Sequence, residues 1–462
     1  MRPTRRKLRT AATAAVWGML TAAASGQGTG ELTGIGTPLP REPGVLRVYS
    51  MGADATYYSV GLPYGSGALP AGTPERPALG SGGSLSLGWS DIRENSTAVV
   101  AYAGSYATQK GYAATSALNQ SLSWNWQRKI KGLWDLKLSG NAAEATRDRY
   151  LYTPLSGPGN ADGAALARIA FADPAPALGI DGEGGDSGRG PGVAGPGSGF
   201  SEPLVQALFG TRVLTTELTA GLAYQQSERL SWNFTLLGER MESLPDESMP
   251  KPPPPLAPIS TAISGDARLQ YLWSPRTTLR VDVSETRTVS RIEDMYTTRA
   301  VASITHALSE RWLAEVYAGG SQISPLRNLY PLPVNLGYAA GGALAWRSFS
   351  NTLTGSVARE LGDAFGLGAV HSLTGRAMWM WRRPGAGWVV QAMFAFQKLN
   401  EGASAQDWSA TGAITRILNQ HLATQIAYVY LQISEAPLIG LLPDQSSVRV
   451  SVTWYPGVLL YP

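Results

Sequence analysis

Twelve charged side chains fall on one parity of short segments in which polar and apolar residues alternate. They are Asp135, Lys137, Glu217, Glu239, Asp266, Arg268, Arg280, Asp282, Arg299, Glu315, Arg376 and Arg449. Six are acidic and six are basic. Opposite charges on one face of a sheet can pair across neighbouring strands, or they can line an aqueous path and tune what passes along it. The equal count gives no preference for anions or cations. Most of the twelve lie between residues 135 and 315, so one arc of any wall they build carries most of the charge.

Other chemistry is sparse. The histidines are His306, His371 and His421, and Ser372 stands beside His371. Adjacent strand residues point to opposite faces, so His371 is badly placed to activate Ser372; Asp363 is the acid near it in sequence. No metal-ligand spacing, phosphate-binding glycine loop or basic nucleic-acid tract is present. Cysteine is absent, which excludes a disulfide framework and a thiolate metal centre. The reading is therefore of a protein that is not an enzyme, with no cofactor, metal or nucleic-acid partner. Tyr317 is one aromatic on the charged face, too few for a sugar-binding track.

The elements that position these residues are strands. Trp232, Phe234 and Leu236 share one parity, Asn233, Thr235 and Leu237 the other. Leu373, Gly375, Ala377, Trp379 and Trp381 likewise oppose Ser372, Thr374, Arg376 and Met378. A period of two puts these sets on opposite faces. One recurrently apolar face against a mostly polar one is the pattern of a transmembrane antiparallel up-and-down β-barrel. The strands read as 45–60, 83–90, 97–108, 115–126, 133–143, 211–226, 231–240, 265–273, 277–285, 296–306, 312–319, 338–346, 352–359, 371–381, 388–397, 408–416, 422–431 and 447–454. That makes 18, with 16 as the alternative count. The first strand is the weakest, because residues 52–55 interrupt its pattern.

Connections alternate between short turns and longer Gly/Pro/Ser-rich loops. This is the asymmetry of periplasmic turns and external loops, and it places the C-terminus in the periplasm. Trp89, Trp126, Trp134, Trp232, Trp273, Trp312, Trp346, Trp381, Trp388 and Trp454 sit near the short-turn or C-terminal strand ends. Indoles belong at the membrane interface, so they read as one aromatic girdle.

Residues 1–26 read as a secretory signal with a basic end, an Ala-rich apolar run and a small-residue cleavage site. The signal carries Arg2, Arg5, Arg6, Lys7 and Arg9 and no acid, so its removal takes the formal charge from +4 to −1. The basic balance is the leader's and says nothing of nucleic acid. Residues 27–44 form a short periplasmic segment, 45–455 the barrel and 456–462 an overhang. Within the barrel, loop 241–263 holds four consecutive prolines, 252–255, and reads as a stiff external spacer.

In strand count, topology and girdle the chain resembles the bacterial outer-membrane β-barrel class, its larger porin-like members above all. Val448, Val450, Val452 and Trp454 look like the alternating C-terminal signal that such barrels present to their assembly machinery, although residues 455–462 run past the aromatic. Loop 144–204 connects the fifth and sixth strands, which in general porins is the position of the loop that narrows the pore. If it folds inward, Asp162, Arg168, Asp173, Asp181, Glu183 and Asp186 would face the lumenal arginines; the other reading is a surface loop rich in Gly and Pro. The resemblance implies outer-membrane lipid as surroundings and a water-filled channel for small polar solutes. The alternative is a non-conducting structural barrel, or one associated with surface-polysaccharide export. A homo-oligomer is left open.

Overall fold

The computed structural model describes residues 46–59, 77–93, 95–110, 116–130, 133–146, 212–244, 259–290, 293–328, 335–363, 369–383, 387–400, 405–419, 421–434 and 445–456. Among them there are 18 strands and no helix. The first six are β1 (Arg47–Tyr58), β2 (Ala78–Arg93), β3 (Ser96–Lys110), β4 (Ser116–Ile130), β5 (Trp134–Thr146) and β6 (Arg212–Gln225). Next come β7 (Leu230–Ser243), β8 (Ile259–Ser274), β9 (Thr277–Ser290), β10 (Glu293–Ala307), β11 (Trp312–Asn328) and β12 (Asn335–Arg347). The last six are β13 (Asn351–Asp363), β14 (Ala369–Arg383), β15 (Trp388–Asn400), β16 (Ala405–Asn419), β17 (Leu422–Ser434) and β18 (Gln445–Trp454).

Each strand pairs antiparallel with its sequence neighbours, and β18 returns to pair with β1 from Met51↔Trp454 to Tyr58↔Ser447. The sheet is a closed meander with no free edge. Closure is what lets a sheet satisfy every backbone N–H and C=O where no water is available. Sixteen strands is set aside by the ladder β1 makes on both sides.

Burial alternates along the strands. On β9, Val281, Val283, Glu285, Arg287 and Val289 are exposed, while Asp282, Ser284, Thr286 and Thr288 are buried. On β18, Val448, Val450, Val452 and Trp454 are exposed, and Ser447, Ser451 and Thr453 are buried. Large apolar groups stand on the outer face; small polar and charged ones stand on the inner.

The strands outrun the alternation at the end away from the short turns. β9 continues to Ser290 and β11 to Asn328, and β8 already starts at Ile259. The connection after β7 is therefore 244–258 rather than 241–263, that after β5 is 147–211, and only residues 291 and 292 join β9 to β10. The ladder needs only backbone hydrogen bonds; the apolar outer face is needed only where lipid touches it. Beyond that height the pattern fades while the strand continues. The turn between β14 and β15 closes on Gly387 at φ 63°, a left-handed conformation that favours glycine.

Candidate functional site

The inner wall is the candidate site. All twelve charged positions singled out in the sequence take the inward parity of their strands. Asp135, Glu239, Asp266, Arg268, Asp282, Arg299 and Glu315 are buried, and Lys137, Glu217, Arg280, Arg376 and Arg449 are half-buried.

The register gathers six of them into two adjacent rows. One runs Lys129, Asp135, Ala223, Asn233, Arg268, Asp282, Val301 across β4 to β10. The other runs Gln127, Lys137, Gly221, Thr235, Asp266, Ser284, Arg299. Within them Gln127 Nε2 donates to Asp135 Oδ2 at 2.6 Å. Arg268 Nε donates to Asp282 Oδ1 at 2.5 Å, and Arg280 Nε lies 3.0 Å from Asp282 Oδ2. Arg280 Nη2 then reaches Glu315 Oε1 on β11 at 2.6 Å, passing over β10 where its register partner is only Ser303. A small residue on the intervening strand is what lets a guanidinium bridge two strands away. The Arg299 guanidinium stands 5.8 Å from the centre of the Tyr317 ring, within cation–π reach. Glu217 and Glu239 face each other directly across β6 and β7, an acidic spot within the arc.

Arg449 of β18 lies on the other side of the barrel. It donates to Asp54 Oδ1 of β1 at 2.7 Å across the closing seam. Asp54 is absent from the sequence-based set. A bulge at Tyr49, between Val48↔Leu87 and Ser50↔Ser86, breaks the parity of β1. The residues after it, Gly52, Asp54, Thr56 and Tyr58, nevertheless keep one parity. Tyr49 and Tyr58 are inward, buried and likewise missed. Each lies against a glycine of β2: a Cβ on Gly88 would collide with the Tyr49 ring, and one on Gly80 would meet Tyr58 at 3.0 Å. Tyr317 uses Gly341 of β12 in the same way, so it packs flat on the wall.

Two further lumenal features escaped the sequence. Arg347 and Arg382 join Arg376 on the inward parity of β12 and β14. Arg376 Nη2 contacts Met393 Sδ at 3.4 Å, and Arg382 Nε contacts Met380 Sδ at 3.0 Å. Toward the strand ends away from the short turns, Met295, Ile323 and Leu361 form a buried apolar cluster, with Val301, Tyr317 and Ala339 forming a second. On β15 to β17 the inner wall mixes polar Ser409, Thr411, Thr415 and Gln425 with apolar Val389, Ile417 and Val429.

The ten tryptophans all take the outward parity, each within four residues of the short-turn or C-terminal end of its strand. Trp134 stacks on Tyr224 at 4.4 Å, and Arg416 lies over Trp388 at 4.7 Å. A second outward set, Tyr57, Tyr106, Tyr338, Trp408 and Tyr430, sits within four residues of the opposite strand ends. Tyr338 and Trp346 are eight residues apart on β12. That is about 26 Å along a strand and about 20 Å vertically at a tilt of about 40°, close to the apolar band of about 25 Å on a membrane barrel.

The histidines tie local structure. His306 Nδ1 and Thr277 Oγ1 are hydrogen-bonded at 2.9 Å, and His421 Nδ1 donates to the Tyr455 carbonyl at 2.9 Å. His371 aligns with Leu361, and Ser372 with Glu360; Asp363 aligns with Ala369. Asp162, Arg168, Asp173, Asp181, Glu183 and Asp186 lie outside the described residues, as do 1–26, 27–44 and 457–462.

One stability test follows from the seam. The Arg449–Asp54 pair leaves 12% and 6% of its side-chain surfaces exposed, whereas Arg240–Glu242 at the rim leaves 51% and 36%. Arg449→Gln is expected to cost about 2 kcal/mol in urea unfolding from detergent micelles, and Arg240→Gln less than about 0.5 kcal/mol.

No protein-family model and no curated protein matches the chain. Several solved structures are similar to it. Pseudomonas aeruginosa OccK2 (OpdF) is 9% identical at a TM-score of 0.44, over 90% of this chain and 99% of that one. The outer membrane protein OpdK from Pseudomonas aeruginosa is 9% identical at 0.41, over 89% and 99%. The FrpB iron transporter from Neisseria meningitidis (F3-3 variant) is 8% identical at 0.40, over 83% of this chain but only 62% of that one. On its own geometry the chain is a closed barrel of 18 antiparallel strands, with an apolar outer band and aromatics at both its edges.

Proposed function

We propose that the chain resides in a bacterial outer membrane and encloses a water-filled channel for small polar solutes. The observation that carries this reading is the inner wall: a closed barrel whose inward parity holds charge, hydroxyl and amide groups around most of its circumference. An 18-strand barrel is wide enough to hold an aqueous path. The reading includes export through the cleaved leader at 1–26, recognition of β18 by the barrel-assembly machinery, and no enzymatic role. Outward Val448, Val450, Val452 and Trp454 on β18 support the second of these.

One observation favours a non-conducting barrel, structural or associated with surface-polysaccharide export. Asp282 and Glu315 are almost fully buried in their ion pairs, which suits a braced wall better than a solvated one. Single-channel conductance of the refolded mature protein, with and without residues 155–200, separates the readings. Steady current in the full mature chain supports the channel. Current only after the deletion favours the closed barrel. Silence in both, with a gel mobility that still depends on heating, overturns the channel.

A further inference from the structure

The two ends of the barrel differ in charge. At the short-turn end, Arg229, Arg276, Arg311 and Arg383 are exposed at the β6–β7, β8–β9, β10–β11 and β14–β15 turns or the strand ends that flank them. Arg93 and Arg128 are exposed on the outward parity at the same level on β2 and β4. Against these six stand the acids Asp91, Glu228 and Glu310, and Asp91 is paired with Arg93 at 2.8 Å. At the opposite end the described strand tips are balanced: Arg240, Arg287, Arg359 and Lys398 against Glu144, Glu242, Glu285 and Asp294. Two of those arginines are neutralised locally, Arg240 by Glu242 at 2.8 Å and Arg287 by Asp294 at 2.7 Å. The nine connections at that end hold thirteen acidic and seven basic residues.

The basic ring lies at the level of the tryptophan set, where Arg416 already stacks on Trp388. Apolar tips share its height: Phe349 in the β12–β13 turn is 89% exposed, with Leu308 and Leu418 exposed beside other turns. Basic groups with indoles and apolar tips at one depth fit a lipid headgroup layer, where phosphate meets hydrocarbon. A soluble acidic partner would meet the arginines but would not account for tryptophans facing outward around the whole circumference.

We propose that this ring binds the headgroups of anionic phospholipid in the periplasmic leaflet, so that the barrel selects anionic over zwitterionic lipid at its short-turn end. The proposal rests on the membrane location inferred above. Electrostatic attraction of each basic side chain to an anionic surface acts additively near that surface and is screened by salt.

The test offers the purified mature chain, in mild detergent, an equimolar mixture of phosphatidylglycerol and phosphatidylcholine, and counts retained lipids by native mass spectrometry. About tenfold enrichment of phosphatidylglycerol, lost at high salt, is expected. The quadruple variant R229Q/R276Q/R311Q/R383Q is expected to retain both lipids equally, whereas R240Q/R287Q/R359Q/K398Q at the other rim keeps the preference. No preference in the natural chain, a preference that survives high salt, or equal loss in both variants would overturn the proposal. The salt titration on the natural chain decides the matter even if the first variant fails to fold. A chain that is no membrane barrel would instead retain neither lipid and show no heat-dependent gel mobility, so failure of the location and failure of the lipid selection are distinguishable.

Discussion

Asp282→Ala is expected to destabilise the barrel by about 3–5 kcal/mol, the cost of breaking a buried ion pair from one side. Asp282 is the carboxylate that Arg268 and Arg280 share, and only 1% of its side chain is exposed. Its removal leaves two guanidiniums side by side with one acid fewer, in a wall where water competes weakly. Arg280 keeps Glu315, so the loss should concentrate on Arg268. Unfolding in urea from detergent micelles, followed by tryptophan fluorescence, reads the change. The paired replacement Arg268→Met with Asp282→Leu removes both charges and is expected to recover most of the loss, because well-packed apolar groups often replace a buried pair at little cost. A loss below about 1 kcal/mol for Asp282→Ala would mean that the arc is solvated as a surface pair is. That result would move the charged rows from a brace to a lining and strengthen the channel reading.

Leu236→Arg carries the second large effect, about 2–4 kcal/mol for a cation near the middle of the lipid face. Leu236 is 57% exposed on the outer side of β7, four residues above Trp232. At about 2.5 Å of height per residue that is about 10 Å above the aromatic belt, near the midplane. Thr235→Arg, one position earlier, faces inward beside Asp266 in the register; it is expected to cost less than about 1 kcal/mol. Unfolding in lipid vesicles compares the two. Equal costs would contradict the division into a lipid face and a polar lumen, and a larger cost at Thr235 would reverse it.

The parity of these residues was legible because it is local. Alternation along a single strand sorts side chains to two faces whatever the partner strands are, so the inward set from Asp135 to Arg449 needed no tertiary information. The same parity was available for Asp54, Tyr49 and Tyr58, but the bulge at Tyr49 shifts it within β1. The strand tips were read short because the alternation stops where lipid stops, while β9 and β11 remain hydrogen-bonded to Ser290 and Asn328. The second aromatic set was missed because a count of tryptophans alone overlooks Tyr57, Tyr106, Tyr338 and Tyr430.

By itself, then, the chain determined eighteen strands, their sequence order and, outside the bulged β1, which face of each strand turns inward, because period two and turn chemistry act over a few residues. Only the tertiary structure decided which charges meet. Arg280 finds Glu315 across an intervening strand, and Arg449 finds Asp54 across the seam that closes the barrel. Those pairings depend on register and closure, and a slip of two residues in one ladder would keep every face unchanged while parting the pairs that cross it.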